Sequence, residues 1–215
     1  MKIPPSLVSM PLMLLLGACG SESTISEERA HQEQDAKLLE RLENSSGPLS
    51  NPFAQAQTLA EDSIGAAVGS DVDQTWIRKM IEHQEGSARM AQLVLNSNPS
   101  PEVKRAAERV LADAHNRVAA LKRLRKRAIR PDDRTSAPFD AKTSDMFAKM
   151  TQVEASSVEQ MWAGKMVHYN RGAIALAGVE ATAGKDEGVR NYARDLASSL
   201  VHEADAIQKF ATRPR

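Results

Sequence analysis

The sequence has a single cysteine, Cys19, among 215 residues. An intramolecular disulfide is excluded, and so is a metal site built from several thiolates. Aromatic residues make up only 4%: two Trp, two Tyr and four Phe. Sheets favour aromatic and β-branched side chains. Their scarcity, beside plentiful Ala, Leu, Met, Glu, Lys, Arg and Gln, favours helices. No charge of one sign prevails, because 28 Lys and Arg balance 28 Asp and Glu. That removes the overall electrostatic footprint of a nucleic-acid binder. Long apolar runs are missing as well. The stretch from Leu7 to Leu16 spans 10 residues and contains Pro11, whereas a membrane helix needs roughly 20. No glycine-rich phosphate loop, zincin motif or nucleophile elbow occurs. A ferritin-type di-iron site needs Glu-x-x-His on bundle helices, and that spacing occurs only at Glu28 and His31, in a polar stretch. With no catalytic constellation visible, the expectation is a protein that is not an enzyme.

What is present begins with an exported N-terminus. Met1-Lys2, the short apolar core and the small residues before Cys19 describe a secretory signal. Leu16-Gly17-Ala18-Cys19 resembles the lipobox of bacterial lipoproteins. That resemblance implies lipidation of Cys19, cleavage just before it and a stable membrane anchor, since more than one acyl chain holds firmly. Gly20 does not resemble the aspartate retention signal of enteric bacteria, so an outer-membrane anchor facing the periplasm is expected. Residues 1–18 are then the leader. Residues 19–50, rich in Ser, Glu, Gln, Asp and Asn, form a polar tether.

The remainder repeats itself. Trp76-Ile-Arg-Lys-Met80 and Trp162-Ala-Gly-Lys-Met166 are 86 residues apart. The same offset carries Pro52-Phe53 onto Pro138-Phe139, Gly86 onto Gly172, Ala91 onto Ala177, Val103 onto Val189 and Ala107 onto Ala193. The punctuation repeats too. Ser70 with Asp73 and Ser156 with Glu159 have capping-box spacing, and Ser100 and Asp186 are good N-caps. The first repeat (51–129), a linker (130–137) and the second repeat (138–215) follow. Each repeat predicts a short helix (53–68 and 139–154) and two long ones (72–96 with 101–129, and 158–183 with 187–211). Four long helices with apolar residues at helical spacing predict an all-α four-helix bundle, built as two tandem helical hairpins, each with a short extra N-terminal helix.

The string Met80-Ile-Glu-His-Gln-Glu-Gly-Ser-Ala-Arg-Met90-Ala91 resembles the signature of the bacterial domain-of-unknown-function 305 family, M-I-x-H-H-x-G-A-x-x-M-A on a ferritin-like bundle helix. The resemblance runs from Pro52 to about Leu124 and again from Pro138 to about Phe210. It implies a ferritin-like fold, an envelope or secreted location and, in some members, copper held by His and Met. Met80, His83 and Met90 match the signature, with Gln84 at its second histidine. In the second repeat Met166, Gly172 and Ala177 match, and Tyr169 and Asn170 stand at the histidine positions.

Thioether and imidazole ligands suit copper. Met80 and His83, three residues apart, share a helix face. Met90 lies about 15 Å further along the axis. His83 and His115 are equidistant from the first hairpin turn, as His168 and His202 are from the second, so each hairpin has a level histidine pair. The candidate metal residues are therefore Met80, His83, His115, Met90, Met166, His168 and His202, with copper as the favoured ion. The leading expectation is a lipoprotein that binds or buffers a transition metal. The alternative is a structural or adaptor lipoprotein with a degenerate metal site. The basic run Lys122-Arg123-Leu124-Arg125-Lys126-Arg127 suits a helix C-terminus or a contact with anionic lipid head groups.

Overall fold

The computed structural model describes residues 51–126 and 130–212. The expected leader, Cys19 and the expected tether lie outside the described residues, as do 127–129 at the predicted end of the third helix. All regular elements among the described residues are helical: α1 (Ala54–Ala66), α2 (Val72–Asn96), α3 (Pro101–Leu124), a 3-10 turn (Asp133–Thr135), α4 (Ala137–Thr151), α5 (Val158–Ala183) and α6 (Glu187–Ala211). Together they make a helical bundle. α2 packs along α3 and α5 along α6, α2 lies against α5, and the short α1 and α4 cover α2 and α5 respectively.

The predicted starts of α2, α3, α5 and α6 coincide with the observed ones. Four local details differ. The short helices are shorter than predicted at their ends, α1 closing at Ala66 and not at 68, and α4 running over Ala137–Thr151 and not 139–154. α3 stops at Leu124, before the predicted Ile129, where Gln74 takes over its end. The Gln74 Oε1 accepts the Lys126 N–H at 2.8 Å and its Nε2 donates to the Leu124 carbonyl at 3.5 Å. The linker is ordered over Asp132–Ser136, because the Asp132 N–H donates to the Gly69 carbonyl at 2.9 Å and the Thr75 and Thr135 hydroxyls meet at 2.5 Å. The N-caps of α2 and α5 are Asp71 and Ser157, which accept the N–H groups of Gln74 and Gln160 at 2.8 and 3.2 Å, not Ser70 and Ser156.

Asp73 and Glu159 leave the expected capping boxes and reach the opposite hairpin's turn. Asp73 accepts the N–H groups of Lys185 and Asp186 at 3.0 and 2.8 Å. Glu159 accepts the N–H and hydroxyl of Ser100, the latter at 3.0 Å. Each carboxylate thus satisfies free donors at a helix start, but on another helix. Asn98, in the first turn, has the left-handed φ of 53° that asparagine tolerates.

The core forms two clusters. One joins Trp76, Ile77, Met80 and Leu121 of the first hairpin to Leu176, Ala177, Val189 and Leu196 of the second. The other joins Trp162, Ala163, Met166 and Ile207 to Met90, Ala91, Val103 and Val110. The start of α2 therefore lies beside the end of α5, and the reverse holds at the other end. α2 and α5 are antiparallel, and they cross near His83 and Tyr169.

Candidate functional site

His83, on the inward face of α2, is fully buried. Its ring stacks on that of Tyr169 of α5, with centroids 3.8 Å apart and planes 15° from parallel. His83 Nε2 lies 3.1 Å from the Tyr169 carbonyl. A carbonyl only accepts, so Nε2 carries the proton and donates. Nδ1 is then the acceptor, and the Gln84 amide nitrogen sits 3.2 Å from it. Burial foremost, partly opposed by the Tyr169 carbonyl and reinforced by the Arg117 charge, pulls the imidazole pKa down to about 3. His83 is a neutral, doubly hydrogen-bonded core group.

A chain of polar contacts continues from it across four helices. Arg117 of α3 faces the side-chain amide oxygen of Gln84 at 3.5 Å and donates to Glu203 of α6 at 2.7 Å and to Ser199 at 2.8 Å. Asn170 of α5 donates to the other Glu203 oxygen at 2.9 Å. The Arg117 and Glu203 side chains are only 12% and 10% exposed, so water screens the pair weakly. A buried charge of this kind needs a partner, and each supplies the other's.

Two buried lysines flank this layer. Lys79 Nζ donates to the Ile64 carbonyl at 2.8 Å, and Lys165 Nζ to the Met150 carbonyl at 2.7 Å. Those carbonyls belong to the last turns of α1 and α4, where cations and donors are favoured. Burial lowers both lysine pKa values, with Asp140 opposing at Lys79. At the far end of α5, Glu180 is fully buried. Burial, and then the neighbouring Asp73 carboxylate, push its pKa up to about 8. Burial acts upward on Asp73 too, but the N–H groups of Asp186 and Lys185 outweigh it and lower its pKa.

The expected ligands are scattered. Met80 lies in the first core cluster, and Met90 and Met166 lie in the second. His83 turns onto α5, while His115 is exposed on α3. His168 is half-buried and His202 exposed. Burial, followed by the charges of Arg171 and Lys149, lowers the His168 pKa. Among the described residues no three His, Cys, Asp or Glu side chains gather as metal ligands. In this arrangement the residues do not fit a copper ion. A ligand must offer a lone pair, and His83 uses that of Nδ1 to accept from Gln84.

Sequence reasoning passed over Arg117, Glu203, Lys79 and Lys165. The signal for the lysines was present, since both occupy the fourth place of the repeated Trp-x-x-Lys-Met string. Arg117 and Glu203 also stand 86 residues apart, a pairing of opposite charges at one repeat offset.

No curated protein and no solved structure matches the chain. The model of a family described as a domain of unknown function, DUF305, matches residues 24–125, a stretch that contains α1, α2 and α3, and over it the chain is similar to that family.

Proposed function

We propose that this chain is a lipid-anchored envelope protein whose ferritin-like four-helix bundle, made of two tandem repeats, works through protein contacts and not through a bound metal. The observation that carries this reading is the state of His83. It is the one histidine matching the signature, and it is sealed in the core with both ring nitrogens engaged. The second-repeat positions hold Tyr169, which buries its ring against that histidine, and Asn170, which binds Glu203. The layer thus supplies its own cation, Arg117. Anchoring at Cys19 is what the lipobox resemblance implies, and an outer-membrane position facing the periplasm is what Gly20, unlike the aspartate retention signal, implies. No helix among the described residues is long and apolar enough to cross a membrane. Val201 is the one large hydrophobic side chain exposed among them, so contacts with a partner would be polar.

Calorimetric titration with Cu(I) and with Cu(II), on the wild type and a His83→Ala/Met80→Ala variant, tests the reading. It expects no stoichiometric uptake that depends on these two residues. One equivalent bound by the wild type and lost by the variant would restore the copper-buffering alternative.

A further inference from the structure

Two residue pairs in this bundle meet their own repeat counterparts. His83 stacks on Tyr169, and Arg117 binds Glu203; both pairs are 86 residues apart. In two related halves, a residue touches its own equivalent only on the axis that relates them. The surrounding contacts obey the same operation. Lys79 on Ile64 is repeated by Lys165 on Met150. Asp73 on Asp186 is repeated by Glu159 on Ser100. The two core clusters interconvert as well, Trp76, Met80, Leu121 and Val189 mapping onto Trp162, Met166, Ile207 and Val103. The axis therefore passes through the polar layer.

Two identical halves would place identical side chains on that axis, Arg against Arg or Glu against Glu. Here the faces are complementary instead. Arg117 meets Glu203. A methyl group added to Gly86 would strike the Tyr169 hydroxyl, whereas one added to Gly172 would strike Met146. Met146 occupies Ala60's place in the second repeat, so a large ring over a small residue on one side is balanced by a longer side chain on the other. Resting on the tandem-repeat reading above, we infer that the face bearing His83, Gln84 and Arg117, which packs on the face bearing Tyr169, Asn170 and Glu203 in its own chain, is an interaction surface that takes the same complementary face of a second copy and rejects its own kind. Arg117 and Glu203 set that choice. A like-charge pair at a site this poorly solvated is strongly disfavoured, and discrimination by an unfavourable alternative is as effective as by an added contact.

Full chains carrying Arg117→Glu (Glu facing Glu) or Glu203→Arg (Arg facing Arg) test this, with the exchanged double variant. Each single variant should lose about 10 °C or more of thermal midpoint, and the exchanged double should recover most of it. The two single variants, unfolded together and co-refolded, should yield a 1:1 dimer of full chains by native mass spectrometry. Each supplies the half the other lacks. If neither folds alone, co-folding of the mixture supports the inference just as directly. Unchanged midpoints in the single variants, no recovery in the double, or a mixture that dimerises no more than its separate components would overturn it. No metal enters the experiment, so a copper-binding result would revise the proposed function and leave this outcome standing.

Discussion

The His83 imidazole lies 3.8 Å from the Tyr169 ring, nearly parallel to it, and donates its Nε2–H to the same residue's carbonyl. One residue thus fixes the ring plane, the tautomer and the desolvation of the other. The tyrosine hydroxyl, in contrast, is buried without a hydrogen-bond partner. Tyr169→Phe should therefore be neutral or raise stability by up to about 1 kcal/mol, because no bond is lost with the oxygen. Denaturant unfolding reads this directly, and a loss above about 1 kcal/mol would contradict it.

Gly86 provides a coupled test. A Cβ there would meet the Tyr169 hydroxyl and lie 3.1 Å from the Ala60 Cβ. Gly86→Ala should cost about 1–2 kcal/mol, the overpacking outweighing the gain in helix propensity. In the Tyr169→Phe background the cost should shrink, since the first atom to be struck is gone. Equal costs in both backgrounds would show that the two residues do not share this space.

The pH profile follows from His83 and Glu180, whose shifts run in opposite senses. The folded His83 pKa, about 3, lies below the ordinary 6.5. Its contribution is complete above pH 6.5 and is lost as pH falls toward 3. The folded Glu180 pKa, about 8, lies above the ordinary 4.5. Its contribution is complete below pH 4.5 and is lost as pH rises through 8. Each changes stability by about 1.4 kcal/mol per pH unit within its window. The two windows overlap between 4.5 and 6.5, where the slopes cancel. Stability should be flat there, fall from 6.5 to 8, and fall again below 4.5. Glu180→Gln should abolish the alkaline decline and unmask a rise between 4.5 and 6.5. A Glu180→Gln profile that still declines from 6.5 to 8 would assign that arm to another group.

Lys79 and Lys165 tie the short helices to the bundle. Lys79→Ala removes the donor to Ile64 and leaves a cavity, and should cost about 2–4 kcal/mol. Hydrogen exchange should accelerate first in the last turn of α1. Lys165→Ala should do the same for α4, through Met150, and for α1, through Gln57, whose Oε1 also accepts from Lys165 at 2.7 Å. Acceleration spread evenly over the bundle would contradict a local tether.

The limits of sequence reading appear residue by residue. The all-helical content and the starts of the long helices were legible, because Asn98, Pro99, Pro101 and Gly184 break the helices and the apolar residues keep a 3.6-residue period. The caps were misplaced by one residue, since Ser70 and Asp71, like Ser156 and Ser157, are both competent acceptors and only the turn's path chooses between them. The end of α3 depends on Gln74, fifty residues from Leu124 in sequence, and no local pattern reports it. The histidine heights along the helices say nothing of rotation about them. The turn spacing puts His83 and His115 at one height, yet His83 faces α5 and His115 faces water. The central layer remained hidden because Arg117 and Glu203 each look like an ordinary surface charge until the two halves are brought together.

Lipidation is tested separately from the fold. Labelled fatty acid should enter the chain when it is expressed in a bacterium that lipidates lipobox proteins, and be absent from Cys19→Ser. The thermal midpoint of the domain should be the same in both, because Cys19 precedes Asn51 by 32 residues. Label retained by Cys19→Ser would place the anchor elsewhere.

The central claim is that His83 is a neutral core residue whose nitrogens are already engaged. Long-range 1H–15N NMR of the imidazoles measures this most directly, during a pH titration and again after adding Cu(I). The account requires one histidine locked as the Nε2–H tautomer, untitrated down to about pH 4 and unmoved by copper, with its signals lost in His83→Phe. A His83 that titrates near 6.5, or whose nitrogen shifts move on addition of copper, would contradict it.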